Sequence, residues 1–165
     1  MIKTITKVST MKNELFSFLA EAKKQTYANK NIKKSPSTRL GSFDYEYSNG
    51  KLTYHDTYFG GTKFIGEEVV YNSENSPVWG MNYYGVTLNE DLTEDMLDNA
   101  LRPALMKVGE DKSVLPVRGP KEYINHEYRY TFEVNGDLDC FDGIETIYYN
   151  NEKIYVLKCH GGIIK

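Results

Sequence analysis

Three carboxylates stand close together in residues 54–71, which read YHDTYFGGTKFIGEEVVY. Asp56 lies before a glycine turn, and Glu67 and Glu68 lie after it in an otherwise apolar run. Strand side chains alternate between the two faces of a sheet, so one of these glutamates must face the interior. Once buried, it must be protonated, hydrogen-bonded or paired with a cation. Asp56 with Glu67 or Glu68 is then a candidate general acid and base for hydrolysis of a small polar substrate.

A fourth carboxylate lies in a similar context, because residues 64–85 align with residues 141–161. The paired positions are Phe64 with Phe141, Gly66 with Gly143, Glu68 with Glu145, Trp79 with Tyr155 and Met81 with Leu157. The ordered agreement of aromatic, glycine, glutamate and aliphatic positions favours duplication of a three-stranded antiparallel meander over chance similarity.

The shared pattern predicts a small polar pocket walled by aromatic rings. Gly66 and Gly143 leave room beside the two glutamates, and tyrosine hydroxyls, the Trp79 indole and Arg118 in PVRGP are the available donors. The predicted ligand-binding residues are Tyr54, Asp56, Glu68, Trp79, Asn82, Tyr84, Arg118 and Glu145. The alternative is that both glutamates are structural. If one copy of the meander holds a function, the first copy is favoured, because it carries more polar residues.

The predicted helices and strands that would position these residues indicate a single α+β domain spanning residues 1–165. In it, a twisted antiparallel sheet, or two packed meanders, is covered by two helices. The boundaries are an N-terminal helix at about 11–27, a first meander at about 43–85, a second helix at about 94–108 and a second meander at about 126–161. Pro103 lies inside the second helix and predicts a kink or break there.

Composition excludes several classes of function. A net charge of −3 and a pI near 5.7 argue against direct nucleic-acid binding. The sequence contains no run of 18 apolar residues, so no membrane span is predicted. Its start lacks the apolar stretch of a secretory signal, so we expect a cytoplasmic location. Two cysteines and three histidines lack the spacing of a disulfide framework or a metal site, so no cofactor is expected.

Five segments together resemble the bacterial domain of unknown function 5680 family. They are FLAEAKKQTYA, YHDTYFGGTKFIGEE, PVWGMNYYG, PVRGP and FDGIETIYYNNEKIYVLKCHGG, and the resemblance covers residues 13–163. It implies a bacterial cytoplasmic accessory domain, a sensor or binding module, of a kind that also occurs behind XRE-type helix-turn-helix regulators of transcription. No catalytic residue is implied, and a Lys/Ser/Pro loop follows the first helix where a helix-turn-helix would have a second one.

The sequence favours a non-catalytic module that binds a small ligand or a protein partner, because aromatic walls with a few convergent polar groups are typical of such pockets. Two alternatives stay open. One is the hydrolase with paired carboxylates, and the other is a homodimeric interaction domain whose exposed tyrosines form the interface.

Overall fold

The computed structural model describes the backbone of residues 2–165 and the side chains of residues 11–165. The chain begins with α1 (Ile2–Lys24). Its eight strands are β1 (Phe43–Ser48), β2 (Thr53–Gly60), β3 (Lys63–Tyr71), β4 (Pro77–Thr87), β5 (Glu122–Asn125), β6 (Tyr128–Asp137), β7 (Cys140–Tyr149) and β8 (Glu152–Ile163). Between β4 and β5, a 3-10 turn (Glu90–Leu92) leads into α2 (Thr93–Met96), a π-helical turn (Leu97–Leu101) and α3 (Arg102–Leu105).

All eight strands form one antiparallel sheet in the order β1-β2-β3-β4-β8-β7-β6-β5. The predicted α+β class with an antiparallel sheet is therefore confirmed. Each half of the chain contributes four neighbouring strands, and the halves meet where β4 pairs with β8. The strand missing from the sequence analysis is β5, which is too short at four residues to show a periodic pattern. The duplication itself stays a prediction.

The first helix is longer than predicted at its start. It begins at Ile2 instead of near residue 11, and it ends at Lys24 instead of near residue 27. No glycine or proline interrupts residues 2–24, so the helical hydrogen-bond ladder continues through the β-branched residues that precede residue 11. At the other end, Thr26 Oγ1 donates a 2.8 Å hydrogen bond to the Ala22 carbonyl as the chain turns away.

The second helical region changes its winding at the proline. Pro103 has no N–H, so it cannot donate to the carbonyl of Asn99 one turn earlier. The π-helical turn ends at Leu101, two residues before Pro103, and the Asn125 side chain on β5 donates to the freed Asn99 carbonyl at 2.9 Å. The expected interruption therefore takes the form of a π-helical turn whose unpaired carbonyl is satisfied from the sheet.

The helices share a core with one face of the sheet, which we call the inner face. Buried side chains in this core include Phe18, Leu19, Ala22, Met96, Leu101, Leu105, Tyr54, Trp79, Tyr130, Phe132 and Tyr155. Glu68 and Glu145 lie on the same face and are 2% and 0% exposed. The burial of both glutamates, which strand alternation predicts, is confirmed.

The two outer edges of the sheet end differently. On one side, an isolated bridge joins Ser35 to Asp44 in β1, with the Ser35 N–H donating to the Asp44 carbonyl at 2.8 Å. On the other side, the edge strand is β5, which pairs with β6 over four residues.

Gly161 provides a test of the β4–β8 seam, because its backbone lies unusually close to β4. A Cβ at this position would lie 2.2 Å from the Gly80 carbonyl oxygen and 2.8 Å from Met81 Cα, both of which are backbone atoms. We expect Gly161→Ala to lower the free energy of unfolding by about 1–3 kcal/mol or more, because the central strands must separate. Urea denaturation measures the change.

Gly61→Ala is the matched control, because a Cβ there meets nothing within 4 Å. It should change the unfolding free energy by less than about 0.5 kcal/mol. Similar losses in the two variants would contradict the close approach at the seam.

Candidate functional site

A cavity of about 420 Å³ lies between the inner face of the first half of the sheet and the helices above it. Its floor is formed by β2, β3 and β4. Its sides are formed by the end of α1 with the following turn, near Lys23 and Ala28, and by the helical region from Thr93 to Leu105. The glycine turn between β2 and β3 and the exposed Lys34 lie at its mouth. The cavity is therefore a space that three separate parts of the chain must enclose.

Aromatic rings make up much of the cavity wall. They are Tyr27, Phe43, Tyr45, Tyr54, Tyr58, Phe64, Tyr83 and Tyr155. Several pack edge to face or stacked, such as Phe64 with Tyr155 at 6.2 Å between ring centroids and Tyr27 with Tyr58 at the same distance. These contacts fix the rings in place, so the wall is preformed.

Two carboxylates lie side by side on the cavity floor. Asp56 on β2 is the direct cross-strand partner of Glu68 on β3, and both side chains line the cavity. Glu68 forms a buried ion pair with Lys23 from α1. Asp56 accepts a 2.7 Å hydrogen bond from the Tyr83 hydroxyl on β4. Lys23 therefore holds one carboxylate of the pair, and a neutral phenol holds the other.

Burial and the charge of Glu68 raise the pKa of Asp56 to about 7. The hydrogen bond from Tyr83 and the nearby cations Lys23 and Arg118 lower this pKa but do not outweigh these two causes. Burial and the Asp56 charge in turn raise the pKa of Tyr83 well above its ordinary value, so Tyr83 donates as a neutral phenol. Near neutral pH, Asp56 is consequently able to exchange a proton.

The second half of the sheet treats its glutamate differently. Arg118 donates to both oxygens of Glu145, from Nε at 3.0 Å and from Nη2 at 2.7 Å. The hydroxyls of Tyr130 and Tyr155 donate one further bond to each oxygen, at 2.6 and 3.1 Å. Burial alone would lower the pKa of Arg118, but the charge of Glu145 outweighs it and raises that pKa well above its ordinary value. Four donors therefore saturate the Glu145 carboxylate.

Four of the predicted ligand-binding residues line the cavity: Tyr54, Asp56, Glu68 and Arg118. Glu145 is not among the lining residues and is connected to the cavity through its partners Arg118 and Tyr155, which both line it. Trp79 is fully buried on the inner face, where it stacks on Phe141 at 5.9 Å, and its indole Nε1 has no hydrogen-bond partner among the described residues.

Asn82 and Tyr84 do not line the cavity, so the prediction that they line the pocket is wrong. They alternate with Met81 and Tyr83 on β4, so they point to the opposite, outer face, where Tyr84 is 50% exposed. Glu67 also lies on the outer face, where it pairs with Arg39. The hydrolase hypothesis with Glu67 and Asp56 is therefore wrong, whereas Asp56 and Glu68 do share one face.

Lys23 is the cavity residue that the sequence analysis missed despite a readable signal. It follows Leu15 and Leu19 by eight and four residues, so it falls on the apolar stripe of α1. A lysine on such a stripe indicates a buried partner. Tyr58, Tyr83 and Tyr155 also have the right strand parity, whereas Tyr27 and Tyr45 reach the cavity through tertiary packing that no local pattern predicts.

In the part of the chain that the structure describes, no group of three or more histidine, cysteine, aspartate or glutamate side chains is arranged to hold a metal ion. In the same residues, no helix has the length and apolarity needed to cross a bilayer.

The fold is thus an eight-stranded antiparallel α+β domain with a ring-walled cavity on its helical side. Residues 56–164 match a family model described as Domain of unknown function (DUF5680), and the chain belongs to that family. The match begins at Asp56 and includes Glu68, Arg118 and Glu145, whereas α1 with Lys23 lies outside it. Comparison with curated proteins and with solved structures yields no match.

Asp56 should make stability depend on pH. Folded Asp56 keeps its proton up to about pH 7, whereas an unfolded aspartate releases it near pH 3.9, so the folded state binds more protons between these values. The free energy of unfolding should therefore fall as pH rises through this window, by up to about 1.4 kcal/mol per unit. The Asp56→Asn variant lacks this dependence. Urea denaturation of both proteins from pH 4 to 8 measures it, and a pH-independent difference would contradict the shift.

Glu145→Gln should destabilise the fold more than Glu68→Gln. The first change leaves Arg118 buried without its charge partner, at a cost of about 3–5 kcal/mol. In the Glu68→Gln variant, the neighbouring Asp56 can ionise and balance the charge of Lys23, so the loss of stability should be smaller. Chemical denaturation at pH 7 compares the two variants. Equal losses would mean that Glu68 is as structural as Glu145.

Proposed function

We propose that this protein is a non-catalytic binding module for a small ligand, which occupies the cavity above β2, β3 and β4. The observation that carries the proposal is the cavity itself, about 420 Å³ of space bounded by eight aromatic rings with Asp56 and Glu68 on its floor. That volume lies within the range of small-molecule sites, and so does the mixture of apolar walls with few polar groups.

A purely structural role for Asp56 is poorly supported by the energetics. The position opposite Glu145 on β6, which corresponds in register to Asp56 opposite Glu68, is occupied by the buried ring of Phe132. A ring fills its space and needs no partner, whereas a buried carboxylate without a cation destabilises the fold. The position of Asp56 beside an open cavity therefore favours a role in binding a ligand over a structural role.

The corresponding registers also support the common origin of the two halves, which we include in the proposal. Glu68 lies opposite Met81 on β4, and Glu145 lies opposite Leu157 on β8, in agreement with the sequence alignment of the two meanders. In this view the second half keeps a saturated structural glutamate, and the first half keeps the functional site.

A hydrolase is the second candidate, and one observation favours it. Asp56 and Glu68 face the same cavity, and a raised pKa allows Asp56 to act as an acid near neutral pH. Incubation of any bound compound with the protein, followed by mass spectrometry of the products, distinguishes turnover from simple binding.

The proposal includes a cytoplasmic sensor or accessory role in bacteria, associated with transcription regulation. We also propose that the protein forms a homodimer through the outer face of the sheet. On that face Ile65 and Tyr84 are cross-strand partners and are 55% and 50% exposed. Size-exclusion chromatography with light scattering tests the dimer.

A thermal-shift screen of small molecules tests the binding function, because a ligand that binds only the folded state raises the melting temperature. We expect hits whose stabilisation is lost in Tyr58→Ala, which removes a ring from the cavity wall. Tyr84→Ala is the matched control, because it removes the same side chain from the outer face and should leave the shift unchanged.

Two outcomes would count against the proposal. One is the absence of any hit from a chemically diverse library. The other is a set of hits that respond equally to Tyr58→Ala and Tyr84→Ala, which would place binding outside the cavity.

A further inference from the structure

We infer that the ligand carries a positively charged nitrogen, an ammonium or amidinium group on an aromatic or apolar body, and that Asp56 is the counter-ion of that group. This inference rests on the proposed function and adds the chemical class of the ligand. It follows from the balance of buried charges, the open position next to Asp56 and the nature of the walls.

The buried layer between the sheet and the helices contains more acidic than basic side chains. Two ion pairs cancel there, Lys23 with Glu68 and Arg118 with Glu145. When ionised, Asp56 is left over. Among residues 11–165, no lysine or arginine nitrogen lies within 4.0 Å of its carboxylate. With Asp56 ionised, the buried layer is thus one positive charge short, and a cationic ligand supplies that charge.

A ligand can reach the Asp56 carboxylate from the cavity. Asp56 is 4% exposed, yet it lines the cavity, so the space that reaches it is the cavity rather than bulk solvent. Tyr83 donates to Oδ1, and within the described side chains no donor is bonded to Oδ2. An ammonium or amidinium N–H can therefore donate to this oxygen without displacing an existing bond.

The aromatic walls of the cavity also favour a cation. Rings present a negative π face, which attracts cations, most strongly where water is excluded. The cavity already shows this preference at its rim, where Lys34 Nζ lies 3.7 Å from the Phe43 ring centroid and Arg102 lies 5.8 Å from that of Tyr27. On the floor, the Tyr54 ring flanks the two carboxylates.

The rim cations do not favour an anionic ligand over a cationic one. Lys34 is exposed to solvent, so its charge is screened. Arg102 Nη1 is paired with Asp98 at 3.0 Å, and its buried Nε, which has no hydrogen-bond partner among the described residues, requires only a neutral acceptor. Asp56 is the one carboxylate of the cavity floor without a partner of opposite charge in the described part of the chain.

A series of three probes on one aromatic frame tests the inference. The probes are 2-phenylethylammonium, 2-phenylethanol and phenylacetate, which carry charges of +1, 0 and −1. Calorimetric titration at pH 8 should show the cation binding at least about tenfold more tightly than the alcohol, the effect of one charge-assisted contact. The anion should bind most weakly.

Asp56→Asn should lower the affinity for the cation by about tenfold and leave that for the alcohol unchanged. Asp142→Asn removes the same charge from the exposed outer face of β7 and should alter neither affinity. This control separates contact with Asp56 from the overall charge of the protein.

The pH dependence of the wild-type protein is a second readout that needs no variant. Affinity for the cation should rise between pH 6 and 8 as Asp56 ionises, and affinity for the alcohol should not. The titratable or charged groups that line the cavity with Asp56 are Glu68 on β3, Tyr83 on β4, Tyr54 and Tyr58 on β2, Tyr45 on β1, Tyr155 on β8, Lys23 on α1, Tyr27 and Lys34 after α1, Glu94 and Arg102 in the helical region, and Arg118 in the loop before β5.

The possible failures are distinguishable. If the alcohol or the anion binds as tightly as the cation, the inferred ligand class is overturned while the cavity remains a binding site. If none of the three probes binds, the inference is also overturned, and the library screen then decides whether the cavity binds any ligand. A cation affinity that is independent of both pH and Asp56→Asn overturns the assignment of Asp56.

Discussion

Acidic side chains buried on the inner face of the sheet constrain the rest of the structure. A carboxyl group in that position is tolerated only when it is protonated or when a cation or several donors reach it, and no such group is available within its own strand. Glu145 is reached by Arg118 from the loop before β5, and Glu68 is reached by Lys23 from α1. Each ion pair thereby attaches an element outside the sheet to the sheet, so the same interactions that satisfy the carboxylates also place the helix and the loop.

The two halves of the sheet meet this constraint with different chemistry. Arginine offers a planar fork that can occupy both oxygens of Glu145, and two tyrosines complete the set. Lysine is a single point of charge, and the neighbouring position holds Asp56 instead of a ring. The Glu145 carboxylate is consequently saturated, whereas the first half has a cavity beside one carboxylate that lacks a full complement of partners.

Strand parity accounts for most of what the sequence predicted correctly. It placed Glu68 and Glu145 inside, and with the turn signals it predicted an antiparallel sheet. The same rule places Asn82 and Tyr84 outside, so including them in the pocket ignored the alternation that had located Glu68. Most of the remaining cavity residues come from α1, from the turn after it, from β1 and from the helical region between Thr93 and Leu105, which approach only in the folded chain. Short β5 and the early start of α1 were missed because neither has a distinctive local pattern.

The ends of the sheet determine how this domain can meet other chains. An open sheet has two edges whose free backbone groups invite strand addition, a common route to aggregation. Here the β1 edge is partly occupied by the bridge from Ser35, and the opposite edge is divided between the four residues of β5 and residues 132–137 of β6 beyond them. Both edges are therefore interrupted, which disfavours long intermolecular ladders, and the solvent-facing side of the sheet is the broad surface on which a neighbouring molecule can be accommodated.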